Sequence, residues 1–260
     1  MKIVVCMKQV PATTAEKRYG ADFRLERTAS ESIINPLDEY AIEQALRLAD
    51  DGKVESVAYL SMGPEEAAEA LRRALAMGGD EAYLVTDDAL AGADEWATAR
   101  VLAAALDKLA PEVALMGMAS DDARGSLVPG AVAAMRGLPL LSYGSELRLE
   151  DGVARIRRLS STGFEIWESP LPTVVSVTDQ VGEPRYASLK GIMAAKRKPL
   201  ETWGLAEVGL TAADMRGAAL TRVTGAEPPE AKPATERIEG IAPDEAAAKV
   251  ADWLHARRLV

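Results

Sequence analysis

Val113-Ala114-Leu115-Met116-Gly117-Met118-Ala119-Ser120-Asp121-Asp122-Ala123-Arg124-Gly125-Ser126-Leu127-Val128, running on to Met135-Arg136-Gly137, is the stretch from which the fold can be read. Val113 to Met116 is an apolar run with the length of a buried strand. The chain then turns through Gly117 and the small polar residues Ser120, Asp121 and Asp122. It next enters an Ala- and Val-rich helix, with Gly125 and Ser126 at the entry and Gly137 at the exit. A strand, a loop of small residues and a helix N-terminus together offer free backbone N–H groups and a positive helix end to a phosphate. Asp121 and Asp122 do not suit a phosphate by charge, but they suit helix capping or ribose hydroxyls. The phosphate would then rest on backbone N–H groups beyond them. An ordinary βα turn packed with small residues has the same local features, so this stretch alone does not separate the two.

Composition narrows the chemistry. The chain has 260 residues, enough for one large α/β domain with appendages, or one domain and a smaller second one. Only two residues are Phe, so the core must be built from Ala, Val, Leu, Ile and Met. The formal charge of −10 leaves no basic excess to displace counterions from nucleic acid. One cysteine, Cys6, excludes a disulfide framework and a cysteine-based zinc site. One histidine, His255, leaves no histidine-clustered metal site. No apolar run approaches the roughly 20 residues of a membrane span. Met1 to Cys6 passes straight into a strand-like run without the layout of a signal peptide, so a cytoplasmic protein is expected.

Taken in order, Ile3 to Met7 reads as a strand buried on both faces of a parallel sheet, and Lys8 to Pro11 leaves the sheet. Phe23 to Arg27 reads as a short alternating piece. Asn35-Pro36-Leu37-Asp38 has an N-cap residue, a proline for the first turn and an acid three positions after the cap, close to a capping box. A well-made helix start accounts for it equally well when it is taken alone. Ile42, Ala45, Leu46 and Ala49 follow at helical spacing. Val54 to Leu60 is a second strand, and Pro64 after Gly63 opens a helix that Gly78-Gly79 stops. Glu81 to Val85 is a third strand and Asp94 to Leu109 a helix. With the opening stretch this makes four strands alternating with four helices: a doubly wound, mostly parallel sheet with helices on both faces. Ligands of such sheets bind beyond the carboxyl ends of the strands, at the switch in strand order. Cys6 to Lys8, Met62-Gly63 and Gly117 to Asp122 all lie at such ends, with Asn35 to Asp38 nearby.

Beyond Pro139 the pattern changes. Ser145 to Leu149, Ala154 to Leu159 and Phe164 to Glu168 alternate and are joined by Asp151-Gly152 and Thr162-Gly163, an antiparallel appendage. Thr173 to Val177 is again a buried strand. Glu183 to Leu200 gathers Lys190, Lys196, Arg197 and Lys198 around Leu189, Ile192 and Met193. Basic residues beside aliphatic ones suit docking of an acidic partner. The same pattern fits an amphipathic helix whose Ile and Met pack inward. The chain thus divides into 1–200, an α/β domain with its appendage and docking segment, and 201–260, a loop-rich arm ending in a helix over Asp244 to Arg257.

Three of these stretches together resemble the beta subunit of electron transfer flavoproteins, the FixA family. They are Lys2 to Pro11 with Asn35 to Ala45, Met62-Gly63-Pro64 with Ala74 to Gly78, and Glu183-Pro184-Arg185-Tyr186 to Lys198. The resemblance implies a heterodimer with an alpha subunit, an FAD held mainly by that alpha subunit, and an AMP buried in the beta subunit. It places the AMP against Cys6, Asn35, Pro36, Leu37, Asp38, Met62, Gly117, Ser120, Asp121, Asp122, Gly125, Ser126, Leu127 and Val128. It turns Leu37, where relatives often have an aromatic residue, toward the flavin. Leu189 takes the place of the anchor that inserts into acyl-CoA dehydrogenases, with Lys190, Ile192, Met193, Lys196, Arg197 and Lys198 around it. The 201–260 arm then contacts the alpha subunit. Many relatives carry Gly-Arg-Gln-Ala-Ile-Asp-Gly-Asp where this chain has Gly117 to Arg124, so the backbone of the helix N-terminus rather than loop side chains carries the AMP expectation here.

The function implied is that of an electron carrier subunit, not an enzyme. It would take electrons from flavin dehydrogenases of the acyl-CoA dehydrogenase type, as in fatty acid oxidation, and pass them to a membrane quinone reductase without inserting into the membrane. One alternative is an electron-bifurcating form with a second FAD in place of AMP. Another is a nucleotide-binding signalling or stress module, which would leave the basic segment and the arm unexplained. A standalone adenylating enzyme would need a Ser-Gly-Gly-x-Asp-Ser loop or a histidine motif after the first strand. Met7-Lys8-Gln9-Val10-Pro11 stands there instead.

Overall fold

The computed structural model describes residues 1–14, 17–27, 31–227, 235 and 237–260. The strands are β1 (Lys2–Cys6), β2 (Gln9–Pro11), β3 (Ser32–Ile34), β4 (Ser56–Met62), β5 (Glu81–Val85), β6 (Val113–Gly117), β7 (Leu140–Glu150), β8 (Val153–Ser160), β9 (Gly163–Pro170), β10 (Thr173–Val177) and β11 (Leu200–Trp203). The helices are α1 (Pro36–Asp50), α2 (Ala68–Met77), α3 (Glu95–Leu109), α4 (Val128–Arg136), α5 (Leu189–Ala195), α6 (Ala212–Met215) and α7 (Pro243–Ala256).

Nine strands form one sheet in the order β11-β5-β4-β1-β6-β10-β7-β8-β9. Pairing is parallel from β11 to β7, and β8 and β9 continue antiparallel. The central strands β1, β6 and β10 are buried almost throughout because helices cover both faces. Alternate residues feed two cores. Ile3, Val5, Tyr59 and Leu115 face the layer that includes Ile42, Leu71 and Leu75. Val4, Leu60, Ala114 and Met116 face the layer that includes Leu102, Leu106 and Val132. The doubly wound α/β expectation holds.

From β1 the chain moves outward through β4 and β5, then returns at β6 to the other side of β1. The switch in strand order therefore lies between β1 and β6, the point at which sheets of this kind leave a crevice beyond the carboxyl ends of the strands.

The antiparallel appendage is β7, β8 and β9: β7 pairs with β10 and carries the main sheet into β8 and β9, and Leu147, Leu149, Ala154 and Ile156 join the main core. Three expectations change. The segment after residue 200 is not all arm. β11 is the edge strand beside β5, and Trp203, Leu205, Val208 and Met215 are buried. The first compact unit accordingly runs from Met1 to Thr224, and the second from Gly225 to Val260, so the boundary falls well past 200. Phe23 to Arg27 makes only the bridge Tyr19–Leu25, because Phe23 sits at φ +62° in a tight turn back to Gly20. Val10 pairs instead with Ile33 in the small β2–β3 ribbon.

In the second unit, α7 begins with Pro243 and has acidic residues in its first turn, but none of its residues is buried. Pro228, Pro229 and Pro233 of the expected arm lie outside the described residues. Among the described residues no helix is long and apolar enough to cross a membrane.

Candidate functional site at the switch in strand order

The expected nucleotide residues fall on the rim of this crevice. Cys6 ends β1, Met62 ends β4 and Gly117 ends β6, while Pro36, Leu37 and Asp38 form the first turn of α1. Ser120, Asp121 and Asp122 lie in the loop after β6, and Gly125, Ser126 and Leu127 lead into α4 at Val128. The α1 start approaches β6 so closely that a Cβ on Gly117 would lie 2.5 Å from the Leu37 carbonyl oxygen and 2.6 Å from Asp38 Oδ1. Glycine is required there by contact rather than by dihedral angle.

Asn35 does not cap α1 with its side chain, contrary to expectation. It is 1% exposed, and its side chain reaches across to the loop after β6. Its Nδ2 donates to the Ala119 carbonyl at 2.9 Å, and its Oδ1 accepts from the Asp121 N–H at 2.9 Å. Its own N–H donates to the Lys8 carbonyl at 2.8 Å. One buried amide thus joins β1's exit, α1's start and the β6 loop. Asp38, the expected partner in the capping box, accepts from the Lys8 N–H at 2.8 Å and from the Gly117 N–H. Helix capping competes with longer-range bonds for such side chains, and here the crevice wins.

Asp122 is engaged by cations of the chain itself. Its side chain is 1% exposed and accepts from Lys8 Nζ and from Arg27 Nε, each at 2.8 Å. Asp121 pairs with Arg124 at 3.0 Å. Neither aspartate caps α4. Its N-cap is Leu127, without a side-chain bond, so first-turn N–H groups remain without an intrahelical partner.

The two buried carboxylates titrate in opposite directions. Burial pushes Asp38 up to about 7, against the pull of Asn35, the Lys8 and Gly117 N–H groups and the Lys8 charge. Burial also opposes ionisation of Asp122, but the Lys8 and Arg27 charges and the Lys8 hydrogen bond outweigh it and hold Asp122 below the usual carboxylate range. Burial, followed by the nearby Asp38, raises Cys6 far above the ordinary thiol range. That thiol stays protonated and packs as an apolar group. Lys8 and Arg27 belong to the rim although neither figured among the expected site residues. Lys8 was legible as a residue just past β1, whereas Arg27 lies 95 positions from Asp122 with nothing local to link the two. Alongside the rim, an open cleft of about 410 Å³ runs between Met118, Tyr143, Leu159 and Thr178.

The docking segment lies elsewhere on the first unit. Leu189 is 84% exposed, Met193 61% and Ile192 44%, so the inward-packed alternative does not describe it. The segment is nevertheless fixed at both ends. Arg185 binds buried Glu43 through Nε at 2.7 Å and Asp50 at 2.8 Å, and Arg47 holds the Val181 and Glu183 carbonyls. Arg72 donates to the carbonyls of Ala195 and Lys198, and Gly191 allows α5 to lie directly against the Ala76 carbonyl. Lys198 donates to the Leu75 and Gly78 carbonyls at the end of α2, so its charge is engaged, while Lys190, Lys196 and Arg197 are exposed.

Comparison with known proteins agrees with this architecture. The electron transfer flavoprotein domain matches residues 22–208. The caffeyl-CoA reductase-Etf complex subunit CarD of Acetobacterium woodii is 35% identical over 262 residues, covering 100% of both chains. The electron transfer flavoprotein subunit beta of Mycobacterium tuberculosis is 37% identical over 267 residues, 99% of each. That of Mycobacterium leprae is 39% identical over 243 residues, 91% of each. The chain belongs to the electron transfer flavoprotein family, as a beta subunit.

Proposed function

We propose that this electron transfer subunit holds one AMP on the rim between β1 and β6 and completes the binding of an FAD carried mainly by an alpha subunit. The observation that carries the proposal is the uncapped start of α4 at the switch in strand order, its approach loop latched by Asn35. Backbone N–H groups at a helix start suit a phosphate, and the approach to α4 ends in the small residue Ser126. The flavin supplies the electron chemistry, and the chain supplies orientation, shielding and docking. In this proposal Leu37 faces the flavin ring. Leu189, Ile192 and Met193, flanked by Lys190, Lys196 and Arg197, dock flavin dehydrogenases of the acyl-CoA dehydrogenase type. Electrons then leave to a membrane quinone reductase, and the second unit contacts the alpha subunit from a cytoplasmic complex. Co-expression with the alpha subunit and chromatography of the released nucleotides test the core of this proposal. A yellow heterodimer with one FAD and one AMP supports it, and a heterodimer whose beta subunit carries no nucleotide overturns it.

The end-to-end match with CarD favours a second reading. That relative's name places it in a caffeyl-CoA reductase-Etf complex, and in this reading the chain holds a second FAD in place of AMP. Two FAD and no AMP per heterodimer, with reduction by NADH, would select it.

A further inference from the structure

We propose that Asp122 sets the charge limit of the nucleotide site. By occupying Lys8 and Arg27 it leaves the ligand to neutral donors among the described residues, so the site accepts a nucleotide carrying two negative charges and rejects ADP and ATP. The inference rests on the proposal that this rim binds an adenine nucleotide.

The rim has the cations a polyphosphate would need, but aspartates of its own loop hold them. Lys8 Nζ and Arg27 Nε each lie 2.8 Å from a different oxygen of Asp122, which is 1% exposed. Arg124, the cation within the loop itself, lies 3.0 Å from Asp121. Asp38 adds a buried carboxyl on the α1 side. Lys8 remains 37% and Arg27 46% exposed at the side chain, so both could turn to a ligand if Asp122 released them. With all three engaged, what remains for an incoming phosphate is the uncapped start of α4. A helix end carries about half a positive charge. AMP, and equally the diphosphate of a dinucleotide such as FAD, brings two negative charges. ADP and ATP bring three or four, and each additional one would face Asp121 and Asp122 without a free cation. Phosphate sites that accept polyphosphates supply lysine or arginine for them.

The full chain, co-expressed with its alpha subunit and stripped of nucleotide, is titrated calorimetrically with AMP, ADP and ATP. Wild type should bind AMP and discriminate against ATP by about a hundredfold or more. Asp122→Asn frees both cations and should narrow the ATP-to-AMP gap by about tenfold or more, with a steeper loss of ATP affinity as salt rises. The double variant Asp122→Asn with Lys8→Met removes the released charge and should restore most of the discrimination, which mere loosening of the loop would not do. An unchanged ATP-to-AMP ratio in Asp122→Asn, at unchanged thermal midpoint, overturns the inference. If Asp122→Asn does not fold, Asp122→Ser is titrated instead. It releases the same two cations and should narrow the ATP-to-AMP gap in the same direction, so an unchanged ratio in that variant overturns the inference. Failure of wild type to bind any of the three nucleotides overturns the underlying proposal instead.

Discussion

The switch-point rim and the docking segment both carry charged residues on an acidic chain, yet they use them in opposite ways. At the rim the polar side chains turn inward. Asn35, Asp38 and Asp122 are all engaged with the chain itself, and the surface left for a ligand is backbone. At the docking segment Arg185 and Lys198 are tied to α1 and α2, Arg72 of α2 holds the Ala195 carbonyl, and what is presented is apolar: Leu189, Ile192 and Met193. In each region side-chain polarity fixes geometry, and contact with the outside falls to a different kind of group. Charged side chains are ready tools for positioning because a bond left unmade in a buried place is costly.

The contrast can be broken at its strongest point first. Asn35→Ala leaves the Ala119 carbonyl and the Asp121 N–H without partners in a buried position. Unfolding by urea should show a loss of about 3 kcal/mol. The variant should also lose nucleotide from the purified heterodimer. A loss under about 1 kcal/mol would mean that the latch is dispensable.

Leu189→Ala should do the reverse. Docking to a flavin dehydrogenase should weaken by about 2 kcal/mol, typical of a central apolar anchor, with the thermal midpoint unchanged. Stopped-flow reduction against partner concentration gives the affinity, and calorimetry the midpoint. A changed midpoint with unchanged docking would make Leu189 a core residue.

Arg72→Ala separates holding from contacting. It touches no partner, yet it frees the carbonyls of Ala195 and Lys198, so docking should fall by about 1 kcal/mol through loss of pre-organisation. The same stopped-flow assay reads this, and an effect equal to that of Leu189→Ala would argue for direct contact.

A separate signal is one of slope. Asp38 titrates near 7 in the folded chain, above its unfolded value of 3.8. Its stabilising contribution is complete below the unfolded value and is lost as pH rises through about 7. Asp38→Asn should therefore flatten stability against pH between about 4 and 7, measured by urea midpoints across that range. A variant that steepens the profile would reverse the assigned sign.

Much of the fold was legible because buried parallel strands announce themselves as apolar, often β-branched runs: Ile3 to Met7 and Val113 to Met116 are unbroken, and Thr173 to Val177 is interrupted only by small hydroxyl residues. β11 was not, because Leu200-Glu201-Thr202-Trp203 is a four-residue edge strand with two exposed positions and no such run. The three-residue strands β2 and β3 are too short to show a period. At the site, the elements were legible and the wiring was not. Asn35 and Asp38 satisfied every local rule for a capped helix, and only the approach of β6 diverts them. Asp122 looked suited to capping or ribose because Arg27, one of its two partners, is separated from it by seven elements, β3 to β6.

The Asn35 bridge also constrains how this loop can vary among descendants of the chain. It grips two backbone groups, the Ala119 carbonyl and the Asp121 amide, and asks nothing of their side chains. Spelling between Gly117 and Asp121 can therefore drift while spacing cannot. A single inserted or deleted residue there would carry one end of the grip out of reach, whereas wholesale replacement of the letters would leave it closed.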